Sequence, residues 1–275
     1  MDSRRMCPHC RAFITNKDRV CPYCNERVGE RAIDRRDPTP LLGGLIPNAG
    51  FTTFIILFLN FGIYVASSIM SMRTGNGNFM NLDGETLFEL GAKYNPALAA
   101  GQWWRLVTAG FLHGGILHIF FNSYALLDIG SQVEEAFGVS RMLVIYFVST
   151  VCGFYVSALW SSSLSVGASA ALFGLIGGML ALTIREHRTF GQYRSYYVRW
   201  AIYGVIYAIL PGLHIDNAAH FGGFVSGFAV GYVAGTPKLL NTWSETLWRT
   251  ASWICILLTA VSFLKMYLWF TRPRT

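Results

Sequence analysis

Serine and histidine in an apolar setting open the chemical reading of this chain. Ser169 stands in Gly167-Ala-Ser-Ala and His220 follows Ala219, each at the start of a long apolar stretch. Polar and ionisable groups in hydrocarbon are expensive, so each needs a partner or a task. A serine hydroxyl is a weak nucleophile until a base takes its proton, and a neighbouring imidazole is the usual base. His113, His118 and Asn122 form a second group, in FLHGGILHIFFN. His118 and Asn122 are four residues apart and share a helix face. Together with the backbone N–H of Ser169 at its helix N-terminus, they would donate to a tetrahedral oxyanion. Taken singly, such a serine reads as helix-packing glue and such a histidine as a structural hydrogen-bonder. The combination spells acyl transfer.

The third group is Cys7-Pro-His-Cys10 and Cys21-Pro-Tyr-Cys24, two CxxC knuckles ten residues apart. Each knuckle can place two thiolates on one metal, and a hairpin between them closes a tetrahedral four-cysteine site for structural zinc. A segment of about 30 residues with few apolar groups has little else to hold it folded, so the metal would supply its folding free energy. Two disulfides are the other chemistry open to these thiols, and a cytoplasmic location argues against them. His9 reads as a bystander. Cys152 and Cys255 stand alone in apolar stretches and read as small hydrophobes.

The elements that must position these groups are membrane helices. Of 275 residues 53% are apolar and 13% charged, and the first 40 hold nine of the 22 Lys/Arg and six of the 15 Asp/Glu. So few charges cannot cover a water-facing surface over the remaining 235 residues, which excludes a soluble globule, a disordered chain and a disulfide-stapled secreted scaffold. Stretches near spanning length fall at about 51–71, 116–133, 140–160, 169–184, 198–213, 217–235 and 250–270. This predicts seven helices in an all-α polytopic bundle. Ala219, Gly223, Gly227 and Gly231 repeat every four residues, as do Ala170, Gly174 and Gly178. Such small-residue stripes let the fourth and sixth helices approach closely and bring Ser169 towards His220.

Between the first two spans lie about 40 residues rich in Asn, Gly and Trp, long for a connector and expected to be a structured interfacial element. Arg185, Arg188, Arg194 and Arg199, the basic N-terminal module, and Lys238 with Arg249 share one side of a seven-span chain, which the positive-inside rule makes cytoplasmic. Arg272 and Arg274 then lie outside, a mild violation. The net charge of +7 follows from this placement, so no nucleic-acid partner is expected. The first apolar run, at Phe51, begins too late for a cleaved signal peptide.

These residues resemble the rhomboid intramembrane serine proteases, from about Trp104 to Gly231. Trp104-Arg105 looks like the family's WR pair. His113, His118 and Asn122 fit its HxxxxHxxxN pattern, in which the second His and the Asn support the oxyanion hole. Gly130, Glu134 and Gly138 fit GxxxExxxG, a packing element, Ser169 falls on the nucleophile of GxSx, and His220 on the base of AHxxG. Phe173 occupies a position where the family often has Tyr stacked on the histidine, keeping the ring without the hydroxyl. The seventh span is similar to the extra C-terminal helix of six-plus-one rhomboids.

The resemblance implies a serine endopeptidase cleaving transmembrane segments of membrane proteins through a Ser169–His220 dyad, with no cofactor in catalysis. His118, Asn122 and His113 are its oxyanion- or substrate-stabilising residues, and Gly167, Gly223 and Gly227, with Arg105, Glu134 and Phe173, its structural ones. The expected layout is a cytoplasmic zinc ribbon at 1–37, a Pro/Gly-rich linker at 38–50, a six-helix core at 51–235, and the seventh helix and tail at 236–275. The setting is the lipid bilayer, most simply the plasma membrane, and the ribbon reads as a regulatory or partner-binding attachment. A rhomboid-like module that binds membrane proteins without cutting them is the rival, although such modules lose Ser or His. A transporter would predict paired carboxylates or broken helices near the midplane.

Overall fold

The structure is a computed structural model describing residues 4–7, 10, 12–15, 18–26, 28, 50–74, 77–208, 215–237 and 242–272. The linker expected at 38–50 (Gly50 apart), His9, Lys238, Arg274 and the last turn expected of the fifth span lie outside the described residues. Two compact units divide near residue 49.

In the first unit, β1 (Arg4–Met6) pairs antiparallel with β2 (Phe13–Thr15), Arg4 opposite Thr15 and Met6 opposite Phe13. Two three-residue strands are too short to be stable alone. Buried Cys7, Ile14, Cys21 and Val28 form the whole apolar cluster among the described residues of this unit.

The second unit is helical. Its elements are α1 (Phe51–Thr74), the short α2 (Gly84–Glu89), α3 (Asn95–Ala99) and α4 (Arg105–Thr108), then α5 (Ile116–Trp160), α6 (Ser169–Arg185), α7 (His187–Phe190), α8 (Arg194–Ala208), α9 (Asn217–Ala234) and α10 (Trp243–Phe270). By length and composition α1, α5 and α10 can each cross a bilayer, and α6 with the helical segment after it bends by 112°. At 45 residues α5 is about twice the roughly 20 that one span needs. Gly138 divides it with φ of +71°, a left-handed backbone that glycine adopts without strain. Both ends of α5 are tied to residues 77–115, through Ile116 N–H to Met80 O (3.0 Å) at its start and Lys93 Nζ to Ser161 O (2.6 Å) at its C-cap. The chain therefore turns back on itself at Gly138.

The boundaries differ from the sequence reading at three places. A second helix ending at 133 and a third starting at 140 were expected with a loop between. They join at Gly138 instead, because a single left-handed residue suffices to redirect the backbone. The fifth helix begins at Arg194 rather than 198, since Tyr196 and Trp200 both donate to Asp128 of α5 and hold its polar first turns in place. The last begins at Trp243 rather than 250, since Glu245 pairs with buried Arg141 of α5 at 2.7 Å. Hydropathy sees neither contact.

Helix ends are satisfied from far along the chain. Glu134 accepts from Thr52 N–H (3.2 Å) and Thr53 N–H (3.1 Å), so the acidic residue of the GxxxExxxG element supplies the missing cap of α1. Gly130 permits it: a Cβ there would stand 2.8 Å from the Thr53 methyl. Asp216 caps α9 by accepting from Ala219 N–H at 3.0 Å, and Ser157 of α5 donates to its other oxygen.

The segment 77–115 is structured throughout its described length. Buried Arg105 donates to the carbonyls of Phe88 (2.7 Å) and Ala92 (2.9 Å) and to Gln102 (2.7 Å), while its guanidinium stacks on the rings of Phe88, Trp104 and Trp269. Lys93, fully buried, donates to Ser161 O and Ser163 O, so this segment also clamps the chain entering α6.

Candidate active site

Ser169 is the first residue of α6, so its N–H lacks an intrahelical acceptor. His220 lies in the first turn of α9. Their helices meet backbone to backbone. Gly223 lies against the Ala170 carbonyl, Gly227 against Gly174 and Gly231 against Gly178, with no room for a side chain at any of the three. The second half of α5 completes the packing, since a Cβ on Gly153 would lie 2.7 Å from Ala219 O and 2.8 Å from Ala170 Cβ. This close approach leaves Ser169 Oγ and His220 Nε2 2.8 Å apart, within hydrogen-bond range. His220 is 9% exposed, while Ser169 is only half-buried and can meet a substrate.

Phe173, one turn after Ser169, stacks on the His220 imidazole with ring centroids 4.3 Å apart and planes 18° from parallel. Its far edge rests on Gly204 of α8. His220 Nδ1 is buried without a hydrogen-bond partner, and both Asp216 oxygens are engaged elsewhere. Among the described residues no carboxylate hydrogen-bonds to His220, so Ser169 and His220 stand as a two-member pair.

His118 approaches from α5. Gly114 N–H donates to its Nδ1 (3.4 Å), which puts the ring proton on Nε2. That nitrogen faces Gly167, where a Cβ would stand 2.6 Å away; with φ of +130° the position suits glycine on both counts. Asn122 donates to the His118 carbonyl at 2.8 Å, keeping one amide hydrogen for another acceptor. His113 is fully buried, packs edge-to-face on the His118 ring at 5.1 Å, and shares no hydrogen bond with Ser169 or His220. It braces His118 from behind.

Residues 100–237, half of the chain, match the Rhomboid domain family model. The chain belongs to the rhomboid family. This rhomboid is 38% identical over 182 residues to Rhomboid-like protease 3 of Toxoplasma gondii, covering 64% of its own length and 69% of that protein's. It is 34% identical over 196 residues to Rhomboid protease GluP of Bacillus subtilis, covering 69% of its own length and 36% of that protein's. With RHOMBOID-like protein 5 of Arabidopsis thaliana it shares 39% identity over 153 residues, 54% of this chain and 49% of the relative. It thus spans about a third of the Bacillus relative and half of the Arabidopsis one. With its apolar helices, the rhomboid is a multi-pass membrane protein.

The sequence reading missed Asp216 as a helix cap, although Asp three residues before the donating N–H is the usual signal. It also missed Trp269 and Phe88 around Arg105, for which no local signal exists. In the N-terminal unit the four cysteine sulfurs lie within 4.8 Å of one another, with Cys7–Cys24 and Cys10–Cys21 each at 3.7 Å. Zinc–sulfur bonds of about 2.3 Å in a tetrahedron put sulfurs about 3.8 Å apart, so the set fits zinc. The thiols are free of disulfides.

Proposed function

We propose that this rhomboid is an intramembrane serine endopeptidase that cleaves transmembrane segments of membrane proteins. The observation that carries the reading is Ser169 Oγ at 2.8 Å from His220 Nε2, with the imidazole held flat against Phe173. His220 takes the serine proton as Oγ bonds to the peptide carbonyl carbon. Ser169 N–H, His118 Nε2–H and the spare Asn122 amide hydrogen receive the oxyanion, worth about 3–4 kcal/mol for one well-placed donor. Collapse breaks the C–N bond, and His220 returns the proton to the leaving amine. Water, deprotonated by the same imidazole, then hydrolyses the acyl-enzyme. Two of the relatives are named as rhomboid proteases, which supports the reaction class.

Positive-inside placement of arginines supports an N-terminus in the cytoplasm and Ser169 near the opposite face, most simply of the plasma membrane. Residues 1–37 make a zinc ribbon in which Cys7, Cys10, Cys21 and Cys24 would hold one structural ion. Four thiolates leave no open position for substrate, so the ribbon serves regulation or a protein partner. Residues 38–50 link it to the core at 51–235, and 236–275 add the last helix. The deciding experiment labels the purified protein with a fluorophosphonate probe beside Ser169→Ala and His220→Ala. Labelling of wild type alone supports the dyad. Equal labelling of all three would end it and leave a catalytically silent, membrane-protein-binding rhomboid.

A further inference from the structure

We propose that the groove between residues 100–104 and the C-terminal end of α10 binds the phosphate of an anionic phospholipid headgroup. The groove is a cavity of about 300 Å³ whose lining includes Gln102, Trp103, Lys265, Trp269 and Arg272. That is the small end of the range for ligand sites, about 300–1,000 Å³, and suits a headgroup rather than a peptide.

Its charge has one sign. Two cations line it and no carboxylate does. Among the described residues no carboxylate pairs with Lys265 or Arg272 anywhere on the surface. Arg105, the other nearby cation, is buried and turned away, its Nε and Nη1 held by Gln102 Oε1 and two carbonyls and its plane by three rings. Holding Gln102 by its oxygen leaves its NH2 donors uncommitted.

The spacing suits a single anion. Lys265, Leu268 and Trp269 share one face of α10, three and four residues apart, and Arg272 follows just beyond its C-cap, Thr271. Lys265 stands five residues, about 7–8 Å, before the last residue of α10, a depth from which a lysine stem snorkels towards the phosphates. Trp103 and Trp269 place this level in the aromatic belt. Leu268, half exposed beside Lys265, offers acyl-chain contact. The two cations also sit at the Ser169 end of the bundle, where the orientation of the other loops expects few. A headgroup phosphate gives them a partner.

Lipid binding in this groove does not depend on proteolysis. Full-length protein in detergent is titrated with phosphatidylglycerol, phosphatidylcholine and inorganic phosphate, and bound species are counted by native mass spectrometry. Phosphatidylglycerol should be retained in preference to phosphatidylcholine, and inorganic phosphate should not displace it. Lys265→Gln and Arg272→Gln should each weaken the preference about tenfold, one charge-assisted hydrogen bond apiece. Lys265→Arg with Arg272→Lys should keep it, as should Arg249→Gln at the other end of α10. Equal retention of the two lipids, or an unchanged preference in the double glutamine variant, would overturn the site. Displacement by inorganic phosphate would overturn its assignment to lipid.

Discussion

Gly223→Ala tests whether helix contact sets the chemistry, because it adds one methyl and touches no reacting group. The new Cβ would stand 2.8 Å from the carbonyl carbon of Ala170 and 3.1 Å from its Cα. Non-bonded carbons settle at about 3.5–4.0 Å, so α6 and α9 must part by about 1 Å. Both atoms belong to helix backbone, and no side chain can swing aside to absorb the strain. Ala170 adjoins Ser169, and Gly223 follows His220 by three residues, so the displacement falls on the dyad. The Oγ–Nε2 distance of 2.8 Å would stretch to about 3.8 Å, past the limit for a useful hydrogen bond. A misplacement of that size costs about 10²-fold in turnover. The assay follows initial cleavage of a model transmembrane substrate in proteoliposomes, with thermal unfolding of each variant measured in parallel. Overpacking lowers stability by about 1–3 kcal/mol, so rates are compared well below the variant's melting point. Gly62→Ala on α1 is the control, since a Cβ there meets nothing within 4 Å. A folded Gly223→Ala enzyme with turnover near wild type would refute the claim that this stripe fixes the dyad.

Three further outcomes are expected. Asn122→Ala and His118→Ala should each lower kcat by about 10²–10³-fold, less than the total loss in Ser169→Ala, because the other donors remain; wild-type turnover in both would remove them from the oxyanion site. Glu245→Ala should leave buried Arg141 unpaired and lower unfolding free energy by about 3 kcal/mol, the low end for a broken buried pair because Glu245 is 17% exposed; an unchanged melting temperature in detergent would show that the pair does not anchor α10. The purified protein should contain one zinc, and removing residues 1–37 should leave cleavage of the model substrate intact. A zinc-free native protein would refute the four-cysteine site, and chelator-sensitive cleavage by the truncated form would place a working metal elsewhere.

Much of the site was legible in the sequence because its parts obey local rules. Helix periodicity puts His118 and Asn122 on one face, and glycines spaced by four announce a backbone contact. Two CxxC knuckles likewise announce a cluster of thiolates, and the sulfurs do converge. Apolar run length located the helices in lipid, where water cannot satisfy the backbone. Tertiary structure decided what depends on a partner distant in the chain. Glu134 caps a helix that begins 83 residues earlier in the sequence, at Phe51, and Arg105 is wrapped by Trp269 from the last helix. Arg141 fixes where α10 starts, through Glu245 at a separation of 104 residues. Hydropathy measures a residue's preference for lipid or water, and each of these groups is polar in an apolar place. Only the fold could say which polar group would meet it there.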